Sequence, residues 1–215
     1  MGSEVKRSAR AKPRLRAEQA RRTRRAVLDA ARELFLREGY AGTTMRAVAA
    51  RAGVSVETVY KVFGNKAKLV KAVFDVAVVG DDEPVPMLQR QLVRDIDAEP
   101  DPARKLERYG QHIAEVNLRV GRLLLVVRDA AVSNPDAARV WEQLQEERAR
   151  GMAMFAAKLD AGGFLRPGVT AEEARDVLWA FNSVETWDLF VNQRGWAYER
   201  WGDWLGRQLT AALLS

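Results

Sequence analysis

Apolar residues return at helical spacing along almost the whole chain. Between Ala26 and Tyr40 they stand at Val27, Leu28, Ala31, Leu34 and Phe35. That i, i+3, i+4, i+7 pattern predicts an amphipathic helix, and Gly39 is its expected stop. A shorter helix follows in "TTMRAVAARAG", with Thr43 or Thr44 as its N-cap and Gly53 as its close. Ser55 is the expected cap of a third helix, Val56 to Phe63, ended by Gly64, and Asn65 caps a fourth from Lys66 towards Val79. Val48, Val54, Val59 and Phe63 supply a small shared core, while Ala47, Ala49, Ala50 and Ala52 allow the second and third helices to cross closely. Two short helices, a tight glycine-bearing turn and small residues at the crossing make up a helix-turn-helix.

Beyond the acidic, proline-marked stretch "DDEPVP" every segment reads as helix. The candidates are Met87–Ile96, Pro102–Val120, Arg122–Ser133, Pro135–Ala161, Ala171–Arg194 and Trp196–Leu214. Gly121, "SNP", "AGGFLRPG" and Gly195 are read as the breaks between them. No alternating strand pattern bounded by turns competes. The expected fold is all-α.

Charge divides the same chain in two. Residues 1–75 hold 18 Lys/Arg against 7 Asp/Glu, whereas residues 76–215 hold 17 against 22, and all six tryptophans lie from Trp141 onward. A basic part for nucleic acid and a second part with another task follow from that asymmetry. The first 25 residues carry ten Lys/Arg and two Glu and almost nothing to bury. Residues 1–17 are expected to be a basic, disordered tail, either merely solubilising or a phosphate-grasping arm.

Cysteine is absent and His112 is the one histidine, so thiolate chemistry, multi-histidine metal sites and a Ser-His-Asp triad have no ligands or bases to draw on. No glycine-rich phosphate loop occurs either. An enzyme, a cofactor and a metal are not expected. The longest apolar run, Leu123 to Val127, is far short of the roughly 20 residues of a membrane span, and the expectation is a soluble cytoplasmic protein.

The stretch from Ala26 to Asp75, with "F…GY", "TT…VAARAGVS" and "TVY…F…NK…L" in register, resembles the DNA-binding domain of the tetracycline-repressor (TetR) family of transcriptional regulators. It covers about a quarter of the chain. The resemblance implies a homodimer whose subunits carry an N-terminal three-helix DNA-binding domain, residues 18–65, and a larger helical domain, residues 66–215. The latter dimerises and encloses a small-molecule pocket. Binding there shifts the helix Lys66–Val79, separates the two DNA heads and releases a palindromic operator. The alternative function is a DNA-binding protein without a small-molecule effector, controlled by a protein partner or acting architecturally.

The resemblance makes Val56–Phe63 the recognition helix. Tyr60 stands where family members place a phosphate-contacting tyrosine, and Lys66 matches a lysine at the start of the fourth helix, where charge and helix N-terminus both favour phosphate. Lys61 faces outward beside Tyr60. Thr23, Arg24 and Arg25 at the start of the first helix, Thr44 and Ser55 are expected on the DNA backbone. Val56 and Thr58 are placed to meet thymine methyls or base edges. Two residues depart from the family pattern: Glu57 replaces a glycine or a base, and Val62 replaces a histidine that often reaches DNA. Glu57 either accepts from a cytosine amine or only complements the helix dipole.

In the second part, "RGMAMFAAKLDAGGF" and "EEARDVLWAFNSVETWDLFVNQRG" alternate small residues (Gly151, Ala153, Ala156, Ala157, Ala180) with large ones (Met154, Phe155, Leu178, Trp179, Phe181). That suits a helix-pair dimer interface or plain core packing. Tyr109, His112, Met152, Trp179, Asn182 and Trp187 are the candidate lining of an effector site, expected to take an apolar or aromatic molecule.

Overall fold

Gly39 ends the regular part of the first helix, as its sequence predicts. In the computed structural model, which describes residues 3–80 and 90–215, α1 spans Ser3–Gly42 and is broken at Gly39 (φ 72°, ψ 177°). The Thr43 hydroxyl and N–H both donate to the Gly39 carbonyl, at 2.8 and 3.3 Å, which turns Thr43 wholly inward. Thr44 is therefore the cap of α2 (Met45–Ala52), accepting from Ala47 N–H at 3.1 Å. Gly53 closes α2 in the left-handed conformation (φ 68°), which a side chain would strain.

Ser55 accepts from Thr58 N–H and begins α3 (Val56–Phe63). Asn65 Oδ1 accepts from Lys68 N–H at 2.9 Å and begins α4 (Lys66–Val79). Val48, Val59 and Phe63 are buried, as the pattern requires. Arg51 pairs with Glu33 at 2.7 Å, tying α2 to α1.

Two features of this unit differ from expectation. Helix runs through Ser3–Ala17, where a disordered tail is predicted. Ala, Arg, Lys, Glu and Gln dominate the stretch, and such residues let a helix propagate backwards from its packed part. The chain also divides after Asp75 rather than after Asn65, so most of α4 stands with the first unit. Leu69, Val70 and Val73 of that helix are buried.

The second unit, from Val76 on, holds α5 (Gln91–Ala98), α6 (Pro102–Ala131), α7 (Pro135–Ala161), α8 (Ala171–Phe181), α9 (Val184–Trp187) and α10 (Tyr198–Leu213). Residues 81–86 and Met87–Gln89, part of an expected helix, lie outside the described residues. No strand occurs among the described residues; Leu165 and Leu214 make only an isolated bridge. No helix there is long and apolar enough to cross a membrane. Leu106, Phe155, Leu159, Leu178, Trp201 and Leu205 form the centre of the core. Arg119 of α6 donates to the carbonyls of Ala77 and Val78, the last turn of α4, each at 3.0 Å.

Glycines decide how α6 is packed. Gly121, predicted as a break, lies inside α6, because a Cβ there would come within 2.7 Å of the Trp187 ring. Its smallness admits a neighbour; it does not stop the helix. At the other end a Cβ on Gly110 would meet the Gly202 carbonyl oxygen at 2.4 Å, so α6 and α10 cross backbone to backbone.

The single helix expected over Ala171–Arg194 is instead three pieces. Asn182 leaves the helix, Ser183 caps α9 by accepting from Thr186 N–H, and Asp188–Gln193 forms a π-helical turn. Asp188 holds that wider turn by accepting from Asn192 and Gln193, at 2.6 and 2.8 Å.

Candidate functional site

The outer face of α3 is built by a short chain of caps and anchors. Val59 and Phe63 point inward, which leaves Val56 and Thr58 half-buried and Glu57, Tyr60 and Lys61 exposed. Tyr60 is 50% exposed, enough to free its hydroxyl for an outside acceptor. Ser55 and Thr58 hydroxyls lie 3.0 Å apart at the N-terminus, so both polar groups sit on the first turn. The Glu57 carboxylate is held below the ordinary range by its own backbone N–H and then by the Ser55 hydroxyl. It turns back on the helix start. Val62 is 41% exposed, an apolar side chain on the same outward surface.

At the start of the packed part of α1, Arg24 lies over the Phe63 ring at 5.1 Å, Thr23 is half-buried, and Arg25 pairs with Asp29 at 3.2 Å. The basic turn of α1 therefore sits beside the last residue of α3. Thr44 is exposed with its hydroxyl oxygen on the α2 cap.

Lys66 is placed differently from the rest. Its Nζ donates to the carbonyls of Tyr40 and Thr43 at 2.8 and 3.1 Å, and lies 4.4 Å above the Tyr40 ring. Two of its three donors are directed at the junction between α1 and α2. A sequence cannot show this, because those acceptors are backbone carbonyls 26 and 23 residues away.

In the second unit three of the six effector candidates meet. The Asn182 amide donates to the Tyr109 hydroxyl at 2.6 Å, and Tyr109 donates to Met152 Sδ at 3.0 Å. Burial pushes the Tyr109 phenol well above its usual range. The Phe155 ring stacks on Tyr109 with centroids 4.7 Å apart. Arg148, which sequence reasoning missed, donates to Asn182 Oδ1 and to the Trp179 carbonyl, each at 2.5 Å. Its charge thus answers the open carbonyl end of α8.

The other three candidates separate. Trp179 is 40% exposed under the Arg148 guanidinium, and lines a surface groove with Ala149, Arg150, Ala153, Arg175 and Asp176. Trp187 is buried against Gly121. His112 lies one turn beyond Tyr109 on α6; burial, and then the charge of Arg119, holds its pKa below the usual value.

Two buried donors have no partner: Asn117 Nδ2 on α6 and Trp187 Nε1. Asn117, 5% exposed, stands four residues before Gly121 and so on the face that Trp187 packs against. His112 Nδ1 is likewise buried and unpartnered. An asparagine on the apolar stripe of a helix was the signal available for Asn117. Among the described residues no group of His, Asp and Glu could hold a metal ion.

Comparison with known proteins agrees with this geometry. Residues 27–73 match the bacterial regulatory proteins of the tetR family. Over 58 residues the chain is 41% identical to the HTH-type transcriptional regulator TtgR of Pseudomonas putida, a stretch that is 27% of this chain and only 28% of that protein. The fold of the whole chain resembles that of NalD, the secondary repressor of the MexAB-OprM multidrug efflux pump in Pseudomonas aeruginosa. The TM-score is 0.68 at 22% identity, covering 91% of this chain and 98% of that one. The SmeT–triclosan complex is similar too, with TM-score 0.69 at 21% identity and 90% and 92% covered.

Proposed function

We propose that this chain, which belongs to the TetR family of transcriptional regulators rather than to any class of enzyme, binds a palindromic DNA operator as a homodimer and represses transcription until a small molecule releases it. The observation that carries the reading is the outward face of α3: a capped helix, anchored by Val59 and Phe63, that offers Val56, Thr58, Tyr60 and Lys61 to a major groove. Tyr60 and Lys61, with Thr23, Arg24, Arg25, Thr44 and Ser55 around them, position the protein on phosphate. The first turn of α3 reads bases. Lys66 acts mainly from behind, by fixing the junction on which α2 and α4 rest.

Repression is supported by NalD, described as a repressor, and an effector by SmeT, which was solved with triclosan. The effector site proposed here lies along α6 between Tyr109 and Gly121. Asn117 Nδ2 and Trp187 Nε1 are buried donors without acceptors, a cost of roughly 1–3 kcal/mol each. A largely apolar or aromatic molecule carrying a carbonyl or phenol oxygen would satisfy them. Arg119, on the same helix, holds the last turn of α4 and so offers a route from the effector to the DNA-binding unit.

For the dimer, one face of the α7–α8 pair is already used, since Phe155, Ala156 and Leu178 are buried within the subunit. Ala153, Met154, Ala157, Trp179 and Ala180 remain exposed on the other, which suits a second copy.

Selection from random DNA, followed by titration of the selected duplex with candidate molecules, tests the reading. All six tryptophans lie outside the first unit, so their fluorescence reports effector binding directly. The expected result is a palindrome with half-sites about one helical turn or a multiple apart. A molecule that quenches tryptophan should also weaken the DNA complex, by about 1–3 kcal/mol. A strictly monomeric protein, or release driven only by a protein partner, would overturn it.

A further inference from the structure

We infer that the N-terminal extension of α1 is a second DNA-contacting element, a basic helix face that grips phosphates flanking the operator half-site. The inference rests on the DNA-binding reading above. α1 continues from its packed part back to Ser3. From Ser3 to Arg24 that is about 30 Å of helix at 1.5 Å per residue, close to one turn of duplex. Pro13 is the one residue of that stretch with no N–H to give to the helix.

Its chemistry is that of a polyanion partner. Val5 and Leu15 are the only large aliphatic residues between Ser3 and Ala26, so the stretch has no apolar stripe with which to join a core, a coiled coil or a membrane surface. Arg16, Arg21 and Arg22 are exposed and make no ion pair among the described residues. The basic positions also follow a register. Arg21 and Arg24 are three apart and share a face, and the sequence continues the same three-and-four spacing back through Arg14, Arg10 and Arg7, with only Ala17 intervening. Glu4 and Glu18 fall outside that series.

The face has a known direction at one point. Arg24 lies over the ring of Phe63, so the series starts beside the end of α3 that presents Tyr60 and Lys61. A basic ridge that begins at the recognition helix and extends away from it meets the next charges available there, which are the flanking phosphates.

The test compares the full-length protein with R7A/R10A/R14A/R21A and with the four lysine counterparts, on the selected duplex with short and with long flanks. Alanine is the strongest helix former, so the first variant keeps the helix while losing its charge. On long flanks its log-affinity against log-salt slope should be shallower by about 3 to 4, while the lysine variant keeps the wild-type slope, since phosphate contacts count charge. On short flanks the three proteins should converge. An unchanged slope on long flanks, or a lysine variant as weak as the alanine one, overturns the inference and leaves operator recognition intact. Failure of the wild-type protein to select any duplex instead overturns the DNA-binding reading itself.

Discussion

The ammonium of Lys66 lies 2.8 Å from the carbonyl oxygen of Tyr40, 26 residues earlier in the chain, and 4.4 Å above that residue's ring. A side chain that the family pattern assigns to phosphate is thus also the tie between the start of α4 and the turn after α1. Hydrogen bonds to a charged donor contribute about 1.5–3 kcal/mol. Lys66→Met should lower the melting temperature of the DNA-binding unit accordingly. Operator affinity should fall with little change in salt slope. A slope reduced by about one, with unchanged stability, would return Lys66 to a pure phosphate contact.

Glu57 is turned back onto its own N–H and the Ser55 hydroxyl. Glu57→Ala should therefore bind all operator variants equally well or somewhat more tightly, because it removes a carboxylate from a polyanion's neighbourhood. Binding measured across single-base operator variants decides this. A selective loss of about 1–3 kcal/mol at one C·G pair would show that Glu57 reads a base.

The close approaches along α6 make two alanine substitutions destabilising. Gly121→Ala drives a methyl into the Trp187 ring, an overpacking cost of about 1–3 kcal/mol. Gly110→Ala should cost more, because the atom in its way is the backbone carbonyl oxygen of Gly202, which no rotamer change can move. Urea denaturation of the two variants should rank them in that order.

His112 ties stability to pH. Burial and the Arg119 charge depress its folded pKa, against a smaller opposing effect of Glu115. The unfolded imidazole takes a proton near pH 6.5 while the folded one resists, so the contribution is present above about pH 6.5 and is lost as pH falls towards the folded value. The melting temperature should drop from pH 7.5 to 5.5, and His112→Leu should flatten that part of the curve. An equal drop in both proteins would assign it to carboxylates instead.

Much of the DNA-binding unit was legible because its signals are local. Ser55 and Asn65 cap the helices that start one residue later, and Gly53 and Gly64 sit at positive φ just past helix ends. Each device acts within about four residues, so the chain itself defined α2, α3 and α4 and their polar and apolar faces. Charge and composition likewise separated a basic unit from an acidic, tryptophan-bearing one.

Tertiary structure decided what those local rules cannot reach. Gly121 carries the same side chain as Gly53 and has the opposite effect, because its neighbour is Trp187, far along the chain. Asn182 interrupts a stretch that is helical by pattern, where its amide bonds to Tyr109 from 73 residues away and its carbonyl oxygen receives Arg148. Lys66 is directed by two carbonyls that exist as acceptors only once α1 has ended at Gly39. Sequence alone set where helices begin, stop and turn their faces. Which groups meet across those faces depended on burial and on backbone approach between distant segments.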